Sequence, residues 1–287
     1  MVNGKVRNVC GDDLLLMIHK SLVRVFHGLT LYLSPFTLRP SPFTLHGLFA
    51  VLILSLAATT SWAGEVEWRM LYEQSDAHFQ RGDLQQAELF AREALKEAET
   101  SLGAESRATE LSLERAAFML RLTGKLDEAL ALAARGVKVA AKLHGADDPQ
   151  TAIALQNQAE VLFAQKKFGA AEQLHRRAFA LFQKKYGEKS FQAATSLHNI
   201  GTMLLAQDKY LEAERFLKRA LAVKEQVLKP GHRSIAHTLN NLVIALEAQN
   251  KTAEADKYRA RAAALEKKDS TTEPPGTPKP PAKPKPI

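Results

Sequence analysis

Apolar side chains recur along the middle of this chain with two superimposed periods. The short one is helical. Leu197, Ile200, Gly201 and Leu204 form an i, i+3, i+4, i+7 stripe, and a polar break follows at Gln207-Asp208-Lys209. A second stripe of Ala213, Phe216, Leu217, Ala220 and Leu221 then lies between Glu212 and Val227. The long period is 42 residues. The alanine after each polar turn recurs as Ala87, Ala129, Ala171, Ala213 and Ala255, and the turns recur as Gly82, Gly124, Lys166, Asp208 and Asn250. Leu71, Leu113, Leu155, Leu197 and Leu239 keep the same step, as do Arg135, Arg177, Arg219 and Arg261.

Each unit therefore reads as two helices joined by a short turn. Small residues at Ala117, Ala159 and Gly201 mark where the paired helices must approach closely, with Ala213 opposite in the fourth unit. A single hairpin cannot bury its apolar stripe, so the units must stack, and stability becomes a sum along the array. The units span approximately 66–107, 108–150, 151–190, 191–234 and 235–268. Between them lie Gly103-Ala104-Glu105-Ser106, Gly145-Ala146-Asp147-Asp148-Pro149, Gly187-Glu188-Lys189-Ser190 and Lys229-Pro230-Gly231-His232, with glycine after a helix and proline near the next start.

The spacing Leu197-x2-Ile200-Gly201-x2-Leu204 followed by Ala213-x3-Leu217 resembles the tetratricopeptide pattern. The 42-residue step, Ala213-Glu214-x3-Lys218-Arg219-Ala220-Leu221 and Leu239-Asn240-Asn241-Leu242 are similar to the longer repeats of the kinesin light chain type. The resemblance covers about 66–268 and is strongest in the last three units. In the first two, Ser75 and Ala117 stand where glycine is usual. It implies an all-α, right-handed superhelical solenoid of five helix-turn-helix repeats, about ten helices with no strand, over residues 64–268. It also implies a surface that binds another protein or an extended peptide. No motor is implied, because the heptad segment that joins light chains to heavy chains is missing.

The flanks do not follow the repeat. Residues 48–58 are an apolar run of 11 followed by Ser61-Trp62-Ala63, the order of a secretory signal. Residues 1–63 are thus expected to be a leader, with cleavage near Ala63 and a periplasmic or secreted product. The alternative is an uncleaved membrane anchor over 45–63. The preceding stretch repeats Ser34-Pro35-Phe36-Thr37-Leu38 as Ser41-Pro42-Phe43-Thr44-Leu45, and translation from Met17 is conceivable. At the other end, residues 269–287 are rich in proline and lysine, a composition that cannot pack and should be extended and solvated. A sharper reading makes that tail an electrostatic tether to anionic envelope polymer or lipid.

Charge narrows the function classes. The net charge is +8, but the leader carries five basic against two acidic side chains and the last seventeen residues three lysines against Glu273. The small remainder on the repeats is too diffuse for a nucleic-acid footprint. Cys10 is the sole cysteine, so no internal disulfide forms. No nucleophile–base set, phosphate loop or dinucleotide fingerprint is present, which argues against an enzyme, and no cofactor or metal is expected.

The candidate site is a polar column. Two residues after three of the recurring leucines stand Asn157, Asn199 and Asn241. The tetratricopeptide likeness puts this position on the inner face of the first helices, where each carboxamide offers a donor and an acceptor to an extended peptide. Gln156, His198 and Asn240 lie beside the column, and His237 one turn earlier. The competing role is bracing between neighbouring helices. Glu73 and Arg115 interrupt the column in the first two units. Tyr72 and Asp76 occupy places where chaperone-binding members of the family carry a basic clamp, so chaperone tails are not expected ligands. His198 and His237 alone do not make a zinc site. The expected function is an exported binding scaffold, the alternative a membrane-anchored assembly factor of an envelope complex.

Overall fold

The computed structural model describes residues 62–269, so the expected leader up to Ser61 and the tail beyond Asp269 lie outside the described residues. Ten helices follow one another: α1 (62–80), α2 (Leu84–Glu97), α3 (Arg107–Leu122), α4 (Leu126–His144), α5 (Pro149–Ala164), α6 (Phe168–Tyr186), α7 (Phe191–Leu205), α8 (Tyr210–Val227), α9 (Arg233–Glu247) and α10 (Thr252–Asp269). Among the described residues there is no strand. The one departure from plain α-helix is a π-helical turn, Ala98–Leu102, at the end of α2. Trp62 and Ala63, the last residues of the expected leader, are helical and continuous with α1.

Local chemistry sets the helix limits. The first helices of units two to five begin at Ser106, Asp148, Ser190 and His232, whose side chains each accept a hydrogen bond from a backbone N–H of the first turn. Pro149 follows Asp148 at the first helical position, where its missing N–H is harmless. The polar turns within units are left-handed caps. Gly82 and Gly124 have φ of 80° and 82°, and Lys166, Asp208 and Asn250 take φ of 60°, 59° and 60° without being glycine. The residue after each cap returns a backbone hydrogen bond five residues back, as in Lys167 N–H to Leu162 C=O at 2.9 Å and Lys209 N–H to Leu204 C=O at 3.0 Å.

Consecutive helices pack together throughout, and first helices also touch the next first helix, α3 against α5 and α7 against α9. All five alanines of the repeat column have 0% exposure, which places the tightest crossing of each hairpin there. In the fourth unit a Cβ on Gly201 would come within 2.6 Å of Leu217 Cγ, and the Ala213 carbonyl lies 3.5 Å away. In the first unit the same position is Ser75, whose hydroxyl donates to the Ala87 carbonyl at 2.8 Å.

A carboxylate column on the second helices ties units together. Glu88 accepts from Arg92 within its own helix, and from Thr123 at 2.6 Å and Lys125 at 2.7 Å in the next unit. Glu172 accepts from Arg176 and, across the next joint, from Gln207 at 2.7 Å. Glu214 accepts from Lys218 and, across the last joint, from Gln249 at 2.9 Å and Lys251 at 2.7 Å. Burial raises the Glu88 and Glu214 carboxyls, but these donors outweigh it and hold both at about 2. The second unit breaks the column with Leu130, which packs into the apolar clusters on both sides of the joint to the third. There Gln165 turns its amide to Asp127, and its carbonyl oxygen is buried without a partner. Three of the four column arginines tie units together: Arg135 pairs with Glu99, Arg219 with Glu188 and Arg261 with Glu225, each in the preceding unit or connector.

Candidate functional site

The first helices of the last three units, α5, α7 and α9, enclose a cleft of about 520 Å³. Glu160 and Phe163 come from α5, and His198, Asn199, Thr202 and Met203 from α7. His237, Asn240 and Asn241 complete the wall from α9. These side chains meet because the 42-residue step returns equivalent positions to equivalent places on successive first helices. Met203 is almost wholly buried, so the floor is apolar, while the walls are carboxamide, imidazole and carboxylate.

Five of the seven expected site residues therefore line one cleft: His198, Asn199, His237, Asn240 and Asn241. Asn157 does not. It lines a small recess of about 30 Å³ between α3, α4 and α5, near Glu110, Glu114 and Gln150. Gln156 is absent from both linings and donates to Ser196 Oγ at 3.0 Å, tying α5 to α7. His198 makes the equivalent tie one unit on, with Nδ1 3.2 Å from Thr238 Oγ1. Asn241 reaches back to Thr202 Oγ1 at 2.9 Å. Asn157 and Asn199 make no side-chain hydrogen bond within the described residues. The polar column thus divides into residues that brace and residues that remain available.

Behind the cleft lies a charged and polar layer. Lys224 on α8 has 1% exposure and donates to Thr238 Oγ1 at 2.9 Å and to the Ser234 carbonyl at 3.3 Å. Burial lowers its ammonium to about 8. Burial, then the neighbouring Lys224, His237 and His175, push the His198 imidazole down to about 3, so it is neutral at physiological pH. His175 on α6 is completely buried, neither ring nitrogen has a hydrogen-bond partner, and burial holds it at about 4. Its Nε2 is 3.9 Å from Glu160 Oε1, too far for a hydrogen bond. Burial raises the Glu160 carboxyl, and the charge of Arg121 pulls partly the other way. Among the described residues, no group of three or more histidine, cysteine or acidic side chains could hold a metal ion.

The residues missed from sequence are Glu160, Phe163, Thr202 and Met203. Glu160 and Thr202 stand three residues after Asn157 and Asn199, hence on the same helix face, and helical spacing alone could have nominated them. They escape a search for repeated residue types because the position varies, with Ile244 in the fifth unit.

Stacked helical hairpins with a polar-walled cleft on their first helices define a repeat scaffold. A tetratricopeptide repeat family model matches residues 108–184 and 192–268, more than half of the chain. The chain belongs to the tetratricopeptide repeat family, whose arrays bind other proteins or peptides. No curated protein sequence matches it. Solved structures share the fold. The Q17M form of TPR-like repeats of the kinesin light chain kind from Podosopora anserina is 20% identical, with a TM-score of 0.61 over 71% of this chain and 96% of that one. BtubC (BKLC) from P. vanneervenii is also 20% identical, with a TM-score of 0.60 over 80% and 97%. Aspartyl phosphate phosphatase F from Bacillus subtilis is 16% identical, with a TM-score of 0.64 over 93% and 67%.

Proposed function

We propose that this protein is an exported, non-enzymatic scaffold that holds an extended segment of another protein in the cleft of α5, α7 and α9. The observation that carries this is Asn199. It lines a cleft of about 520 Å³, and its carboxamide is not used in holding the array together. An extended chain presents a backbone donor and acceptor at each residue, and one carboxamide satisfies one of each at about 0.5–1.5 kcal/mol net per hydrogen bond. Export rests on the apolar run of 48–58 and the small-residue motif Ser61-Trp62-Ala63. A second reading, supported by the same apolar run, keeps 45–63 uncleaved and fixes the array beside an envelope complex.

Two measurements test these readings. Full-length protein with a C-terminal tag is used to capture a partner from envelope extract, and the captured partner is titrated against the parent and Asn199→Ala. The expected result is up to tenfold weaker binding with an unchanged melting temperature. Unchanged affinity moves the site away from the cleft. N-terminal sequencing of native protein should begin at Gly64, and residues before Leu48 would favour the anchored reading.

A further inference from the structure

Glu160 differs from the largely buried carboxylates of the second helices. Glu88, Glu172 and Glu214 are each saturated by two or more donors from their own and the next unit. Glu160 accepts no hydrogen bond within the described residues, although its side chain is 44% exposed and lines the cleft. His175 lies 3.9 Å behind it, fully buried with both ring nitrogens unpartnered, and the charge of Arg121 acts on Glu160 without a hydrogen bond. No lysine or arginine lines the cleft.

Across the same cleft the tautomer of His198 depends on where Thr238 sends its hydroxyl proton. Thr238 Oγ1 accepts from Lys224 and donates its single proton to the Ser234 carbonyl at 2.9 Å. With that proton on the Ser234 carbonyl, Thr238 accepts from His198, which places the imidazole proton on Nδ1 and makes Nε2 an acceptor. The cleft holds a carboxylate without a hydrogen-bond donor and the imidazole of His198, with Phe163 and Met203 in the same lining.

We propose that the cleft selects a bound chain by a cationic side chain, arginine ahead of lysine, with Glu160 as its counter-ion. This rests on the reading of the cleft as a site for an extended peptide. A guanidinium has enough donors to engage Glu160 and His198 together, its alkyl stem suits Met203, and its plane suits the Phe163 ring. Asn199 is placed to hold the neighbouring backbone.

The test uses full-length protein and three capped heptapeptides, Ser-Gly-Ser-X-Ser-Gly-Ser, with arginine, norleucine or glutamate at X. Binding is followed by NMR on the side-chain amides of Asn199 and Asn241. The arginine peptide should bind at least tenfold tighter than the norleucine peptide, and the glutamate peptide weakest. Glu160→Gln should remove the arginine preference while leaving norleucine binding unchanged, and Glu160→Lys should transfer the preference to the glutamate peptide. Equal affinities in the parent, or an arginine preference that survives both substitutions, overturns the counter-ion role and leaves the peptide site standing. The absence of shifts with all three peptides overturns both.

Discussion

The same position on the first helix is closed in one half of the molecule and open in the other. In the second unit it is Arg115, whose guanidinium pairs with Asp76 of the first unit and lies 5.2 Å from the centre of the Tyr72 ring. Trp68 Nε1 donates to Ser112 Oγ at 2.7 Å along the same joint. In the fourth unit the position is Asn199, with no internal partner and a cleft in front of it. The helices and turns follow one plan in both halves. Whether a groove is available depends on whether its polar groups are satisfied within the array or left for a ligand.

The largest test of this contrast is steric. Ala213→Trp should wedge α7 from α8, where Gly201 and Leu217 leave no room, at a cost of about 3 kcal/mol. Hydrogen exchange should accelerate in the last two units and stay slow around the Trp68–Ser112 tie. Thermal unfolding equal to the parent would move the tight crossing elsewhere.

Acid should come next. His175 sits at about 4 against an ordinary 6.5, so the unfolded chain binds a proton that the folded one refuses. Its contribution is fully present above pH 6.5 and is lost as pH falls towards 4, about 3 kcal/mol over that window. His198, held at about 3, loses stability over the same window, so urea midpoints at pH 7 and pH 4.5 measure the two together, and His175→Leu should remove about half of the difference. Glu88 and Glu214, held at about 2, add losses only below their ordinary 4.5. The third and fourth units should therefore loosen before the first.

Arg115→Ala should cost about 1 kcal/mol, the value of a half-exposed ion pair with an aromatic neighbour. It should also leave peptide binding at the cleft unchanged, which a titration with the arginine heptapeptide checks. The smallest effect is expected at Lys166. Its left-handed backbone strains any side chain, and Lys166→Gly should stabilise by up to about 1 kcal/mol in a melting experiment.

Most of the fold was legible in the sequence because the repeat is written in residues whose role is steric. Alanine at each crossing and leucine in each core stripe cannot be exchanged without loss of packing, so the columns survive from unit to unit. The left-handed caps were legible as turns, though Lys166 conceals the backbone geometry that Gly82 and Gly124 announce. The site was legible in part. Asn199 and Asn241 share a column and a cleft, whereas Asn157, in the same column, faces a different recess because its neighbours in the second unit differ. The bracing role of Gln156 depends on a hydroxyl 40 residues away, and Glu160 gains its character from what surrounds it and not from any repeated letter.

Leu130 has a consequence for how the array comes apart. Three joints carry a largely buried column carboxylate and one carries Leu130 in its place, with the exposed Asp127–Gln165 contact beside it, so their strengths respond to different variables. Protonation weakens the joints with a buried carboxylate more than the one with Leu130, while cooling weakens apolar contact more than the ion pairs. In acid the second and third units should part last, and in the cold they should part first. The array has a seam whose rank in the order of unfolding is set by the solvent.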